Sequence, residues 1–238
     1  MRFEAYWGGL HAANFLLSTS DDGKRYENSF FLKTHGIIGW FLRLKLTATS
    51  RGLSSPFQPG DYRVDYTNRL RERTVKVSFA ADDGRAVPTI TTLGATRADD
   101  LEKEAKVPPP YRTNVIDPIT ALIATFRHAR DSLNGGDKEF VLAVYDGRRR
   151  FDLKGEFFGK EERIILGQKH EVYRIRLTNT PIIGFKDSHK VMWNDTVFDM
   201  YLSTDGRFIP LQFVPVGMGP VMNLVEECSK PCEIPGED

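Results

Sequence analysis

The chain has 238 residues, 40% of them hydrophobic, with 33 Lys and Arg against 32 Asp and Glu. So much apolar material at a formal net charge of +1 excludes a disordered chain and a nucleic-acid binder that works through bulk positive charge. No window approaches the roughly 18 consecutive apolar residues of a spanning helix, so the chain is not expected to be transmembrane.

The 16 Phe, 8 Tyr and 3 Trp, punctuated by 20 Gly and 13 Pro, favour β structure: aromatic side chains suit a half-buried pleated surface, and Gly and Pro mark turns. Met1 to Trp7 alternates at once, with no leader in front. A cytosolic start and a chain whose export signal has been removed both fit. Leu10 to Ser20 and Lys24 to Thr34 flank an Asp21-Asp22-Gly23 turn, a hairpin signature. Asp61 to Arg69 and Glu72 to Ala80 flank a tight turn, with Val75, Val77 and Phe79 on one face and Lys76 and Ser78 on the other. Asp82-Asp83-Gly84 turns into Arg85 to Thr92. Ala95 to Lys106 is charged and predicts an exposed loop, and Lys106 to Tyr111, with three prolines, a stiff polyproline-like connector.

One segment departs from strand periodicity. Asp117 as N-cap, Pro118 at the first helical position and an Ile119, Leu122, Ile123, Phe126 stripe predict a helix over about 117–133. Arg127, His128 and Arg130 suit its C-terminal dipole, and Gly135-Gly136 ends it. Beyond it come Lys138 to Tyr145, a turn at Asp146-Gly147, Arg149 to Phe158, Glu162 to Leu166, His170 to Asn179 and Val191 to Ser203. A turn at Asp205-Gly206, then Arg207 to Pro215 and Met218 to Cys228, complete the run. The expectation is an all-β fold: one domain over 1–238, its long, strongly curved antiparallel sheet of about 12–14 strands forming an open or spiral barrel. The helix buries its stripe by plugging or covering the interior. A weak internal echo relates Leu32 to Trp40 with Leu177 to Phe185.

An ordered set of segments resembles a known family. It comprises Tyr6-Trp-Gly-Gly-Leu-His-Ala12, Thr34-His-Gly-Ile-Ile-Gly-Trp-Phe41, Asp117-Pro-Ile-Thr-Ala-Leu122, Val144-Tyr-Asp-Gly-Arg-Arg-Arg-Phe-Asp-Leu153 and Asp205-Gly-Arg-Phe-Ile-Pro210. Together they are similar, over nearly the whole chain, to bacterial exported proteins labelled domain of unknown function 3108. More distantly, the chain resembles open-barrel lipoprotein carriers and β-spiral envelope-integrity proteins. The resemblance implies a periplasmic protein of the Gram-negative envelope, its export signal removed from this sequence, with no established activity.

Three features are candidates for binding. In the hairpin at Arg148, Arg149 and Arg150, alternate arginines share a face and can grip a phosphate, a carboxylate or a partner protein; equally, they can pair with Asp146 and Asp152. Ile37, Ile38, Trp40 and Phe41 form an apolar loop between glycines, able to line a cavity mouth or touch a bilayer, or else to pack as core. Ile182, Ile183 and Phe185 form a matching lip, with Phe126 on the helix as a further lining residue. Val216 to Met222 can add flexible Met contacts or turn a hairpin.

Cys228 and Cys232 are spaced to close a small disulfide loop in an oxidising compartment, or to stand as two reduced thiols in a tail. The histidines at 11, 35, 128, 170 and 189 show no metal-ligand spacing, and no Gly-x-Ser-x-Gly elbow or phosphate loop occurs, so neither metal nor cofactor is expected. The leading expectation is a non-catalytic protein that holds a lipid or lipoprotein acyl chain, or another envelope protein. The alternatives are an interaction module without a ligand cavity and an envelope hydrolase.

Overall fold

Alternating side chains make a curved sheet only if one face finds a core. The computed structural model, which describes residues 1–79, 85–94, 107–185, 196–229 and 232, shows how that is met. The first strands are β1 (Arg2–Trp7), β2 (Leu10–Asp21), β3 (Arg25–Thr34), β4 (Lys45–Ser54), β5 (Phe57–Thr67), β6 (Arg71–Phe79) and β7 (Ala86–Gly94). The second run is β8 (Glu139–Tyr145), β9 (Arg150–Ile165), β10 (Gln168–Ile183), β11 (Thr196–Ser203), β12 (Pro210–Pro215) and β13 (Val221–Glu226). Helix α1 (Gly36–Leu42) joins β3 to β4, and α2 (Pro118–Leu133) lies between β7 and β8.

All 13 strands form one sheet in the order β7-β6-β5-β4-β3-β2-β1-β13-β12-β11-β10-β9-β8. The described chain therefore begins and ends mid-sheet, where β1 pairs antiparallel with β13. Curvature brings β7 and β8 toward each other as the single seam of a nearly closed barrel, the all-β class expected. One core cluster spans that seam: Tyr145 of β8 packs with Tyr62, Val75, Val77 and Phe79 of β5 and β6.

Helix α2 fills the interior. Its most buried face carries small residues, Thr120, Ala121, Ala124, Thr125 and Ala129, and these allow its backbone to approach the sheet closely. Leu122 and Phe126 pack against the larger core cluster around Phe140, Ile175, Leu177 and Met200. The cap is Asp117, fully buried, whose Oδ1 accepts the Ile119 and Thr120 backbone N–H at 3.0 and 2.9 Å. Its Oδ2 accepts the hydroxyls of Ser50 at 2.8 Å and Thr120 at 2.5 Å. The Thr120 hydroxyl also meets the Tyr26 hydroxyl at 2.9 Å. These bonds tie the start of the helix to β3 and β4. Burial raises the Asp117 carboxyl above its ordinary value and pushes the Tyr26 phenol to about 12.

Three expectations need correction. The Ile37 segment is a short helix rather than a loop: His35 enters in extended geometry and Arg43 ends it in the left-handed region at φ 45°. The residues read as two strands, Arg149 to Phe158 and Glu162 to Leu166, are one 16-residue strand, β9. Gly159, at φ +88°, lets a bulge take up Phe158 opposite Arg174 and Ile175, so pairing continues. The proline connector keeps extended geometry at Pro108 and then turns as a 3₁₀ helix at Pro109–Arg112. The Asp82-Asp83-Gly84 turn, the Ala95 to Lys106 loop and the start of the Val191 strand lie outside the described residues.

Asp117→Ala removes a cap and the acceptor of two buried hydroxyls, Ser50 and Thr120, so it is expected to cost about 2–4 kcal/mol in urea unfolding. Asp117→Asn keeps the acceptor for the backbone N–H groups and costs less. The folded-state carboxyl value lies above the unfolded 3.8, so the stability it contributes is full below that value and falls as pH rises through the raised value. Wild type therefore loses stability relative to Asp117→Asn across that rise, which paired urea titrations measure.

Candidate functional site

The position of each strand end follows from the ladders. One end of the barrel carries the β1–β2, β3–β4, β5–β6, β8–β9 and β12–β13 connections and the last residues of β7 and β10. The other carries the β2–β3, β4–β5, β9–β10 and β11–β12 turns. Two of these latter turns are polar Asp motifs: Asp21 accepts the Gly23 N–H and Asp205 the Arg207 N–H.

The first end is built differently. Its turns expose Trp7 and Leu10 after β1, Leu70 before β6, and Val216 and Met218 after β12. Helix α1 has no buried residue, and Trp40 is 64% exposed, with Ile37, Phe41 and Leu42 above half. Leu93 on β7 and Ile182 on β10 extend the series. Neighbouring strands join most of these residues into one apolar rim. α1 packs on β2 and β3, and the His35 N–H donates to Ala12 O at 2.8 Å, which fixes the helix beside the Trp7–Leu10 turn. Trp40 and Phe41 meet edge to face at 4.7 Å.

The residues singled out in the sequence fall into two groups. Ile37, Trp40, Phe41 and Ile182 stand exposed on the rim, with Ile38 half-buried among them. The β10 end is six places from β3 in the sheet order, so the two lips lie on opposite sides of the same barrel end. Ile183, Phe185 and Phe126 turn inward: Ile183 and Phe126 pack on core clusters and Phe185 is buried beneath the Arg149 guanidinium at 5.6 Å. The interior they approach is occupied by α2.

The arginine hairpin belongs to the seam. Asp146 accepts the backbone N–H groups of Arg148 and Arg149 at 2.8 and 2.6 Å, and Arg150 pairs with Asp152 at 2.8 Å. Gly147, at φ +91°, lies against Val75 and Val77 so closely that a Cβ there would overlap Val75. The hairpin tip thus docks on β6 across the gap between β7 and β8, and Tyr145 locks it by donating to Gly147 O at 2.8 Å.

Sequence spacing gave no sign that His11 and His35 meet. Their rings lie 4.5 Å apart beside α1, with Tyr6 stacked on His11 at 5.3 Å. The two rings are tilted by 33°, and His11 Nε2 lies 3.1 Å from Asn14 Oδ1, which already engages it. Nor was the rim as a whole visible. Trp7, Leu10 and Leu70 are isolated apolar residues at or beside turns, and their only signal is an apolar side chain where turn chemistry favours polar ones, while Leu93 lies near the end of β7. Cys228 and Cys232 are joined as a disulfide, with Cα atoms 5.5 Å apart. A cleft of about 740 Å³ at the opposite end contains Asp22, Glu27 and Asp61. Each is already engaged: Asp22 by backbone N–H groups, Glu27 by Arg51 at 2.7 Å and Asp61 by Ser78.

Fold and rim together define a β-barrel-like protein plugged by its own helix, with an apolar end. A family model described as protein of unknown function (DUF3108) matches residues 2–225, and the chain belongs to that family. No curated protein matches. Among solved structures, the chain is similar to a β-barrel-like protein of domain of unknown function DUF1849 from Brucella abortus. The TM-score is 0.53 at 10% identity over 93% of this chain and 91% of that one, a likeness of fold.

Gly147→Val forces a side chain into Val75 and strains a left-handed position, at a cost of about 2–4 kcal/mol. Amide exchange in β6 and β8 is expected to accelerate more than in β2 and β3, which checks that the loss is centred on the seam.

Proposed function

We propose that the protein is a non-catalytic component of the Gram-negative periplasm that binds an amphipathic envelope molecule at the apolar end of its barrel, and so supports envelope integrity. One observation carries the reading. Helix α2 buries one face in the barrel, while Trp7, Leu10, Ile37, Trp40, Phe41 and Leu42 stand exposed beside one another at one end, against only Leu53, Ile164 and Leu166 at the turns of the other. A soluble surface seldom leaves Trp, Phe, Ile and Leu contiguous and uncovered unless they meet an apolar partner. This shifts the binding surface from an enclosed cavity, as first expected, to the barrel end. The Cys228–Cys232 disulfide supports an oxidising compartment.

The test is native mass spectrometry of the protein recovered from the periplasmic fraction of a Gram-negative host after mild extraction. An amphipathic molecule is expected to accompany wild type and to be lost from Trp40→Ala/Phe41→Ala, with the melting temperature unchanged. A bare protein, or a ligand retained by the double variant, overturns the reading.

A further inference from the structure

We infer that the rim's target is the surface of an anionic lipid bilayer, which deepens and rests on the function proposed above. In this arrangement α1 lies along the interface, Trp7 and Trp40 sit at headgroup depth, and Arg43, Lys45 and Arg69 face lipid phosphates.

Shape is the first argument. The exposed apolar residues run along one barrel end from Val216 and Met218 through Trp7, Leu10 and α1 to Leu70 and Leu93. In sheet order this arc passes from β12 through β13, β1, β2, β3, β4, β5 and β6 to β7. At about 4.8 Å between strands, it is roughly 40 Å long. One acyl chain or one bound strand touches only part of such a rim, whereas a plane laid on the barrel end meets the arc together.

Charge is the second argument, and it is independent of the first. Between Glu27 and Asp61 the sequence contains no acidic residue, and that stretch supplies α1 and most of the strands on either side of it. Of its cations, Lys33, Arg43 and Lys45 lie toward the rim, where Glu72 is the nearest acid on the adjoining strands, while Arg51 lies at the other end, paired with Glu27. Arg43 follows α1 directly in its left-handed cap, so its exposed side chain leaves the helix beside Phe41 and Leu42. Lys45 starts β4 with its ammonium 5.3 Å from the Phe31 ring, and exposed Arg69 sits next to Leu70 in the adjoining turn. Cations set beside exposed Trp, Phe and Leu match an interface where phosphates overlie acyl chains. Trp suits that depth because its ring is apolar and its indole N–H stays hydrated.

The experiment is flotation of the full chain with vesicles of phosphatidylcholine alone or with one-third phosphatidylglycerol, together with intrinsic Trp fluorescence. Wild type is expected to float with the anionic vesicles and its emission to shift to the blue. Binding should weaken by about tenfold or more in Trp40→Ala/Phe41→Ala. Arg43→Glu/Arg69→Glu should abolish the preference for anionic over neutral vesicles, and raised salt should mimic it. Every substitution lies at an exposed position, and thermal melts confirm the fold. Failure of wild type to float, or equal flotation of the Trp40/Phe41 variant, overturns the inference. A parallel titration with monomeric lysophospholipid separates the two readings. If lysophospholipid binds at the rim but vesicles do not, bilayer docking falls and amphiphile binding stands; if neither binds, both fall.

Discussion

A helix placed inside a barrel must satisfy its first backbone N–H groups where no water can reach them. Here that requirement is met by Asp117, and much else in the structure depends on the solution. The carboxylate is fully buried, accepts four hydrogen bonds and meets no cation among those partners. Two partners belong to the helix's own first turn. A third, the Ser50 hydroxyl, belongs to β4, and Thr120 relays the contact to Tyr26 on β3. The cap therefore sets the position of α2 in the barrel as well as its first residue. Once α2 is held there, its buried face occupies part of the interior against the core of the sheet.

The seam is the second consequence of the plug. The segment that carries α2 also links the two edge strands, so β7 and β8 come from the ends of one crossing connection. Main-chain hydrogen bonds do not close the gap between them. Side chains do: Gly147 and Tyr145 of the hairpin bear on Val75 and Val77 of β6. The arginines that looked like an anion grip hold this hairpin's turn through backbone donors to Asp146, a use that depends on where the tip lands.

Much of this was legible in the residues. Asp117-Pro118 and Gly135-Gly136 marked α2 because caps are local chemistry. Strand alternation with Asp-Gly turns pointed to a long antiparallel sheet of about the observed strand number. What stayed hidden was whatever depends on pairing across long separations. Strand order cannot be read from alternation, so the meeting of β1 with β13 and the alignment of the Trp7–Leu10 turn, α1 and the Leu70 turn at one end were invisible. Gly36 to Leu42 misled because a seven-residue helix offers hardly two turns of periodicity. The small face of α2 was overlooked for a related reason: Thr120, Ala121 and Ala124 carry weak hydropathy but decide how near a backbone can come.

The ladder between β1 and β13 has a consequence for how the molecule is made. Arg2 reaches Glu226 across 224 positions, while nearly every other strand pairs with a neighbour in sequence. Two meandering half-sheets can each assemble from local hairpins, but their union waits for the last strand. In a chain delivered end first, whether from a ribosome or through a translocation pore, the opening strand must wait unpaired on one side until the final strand arrives. Completion of the fold thus reports that the whole described chain has emerged, whichever route delivered it.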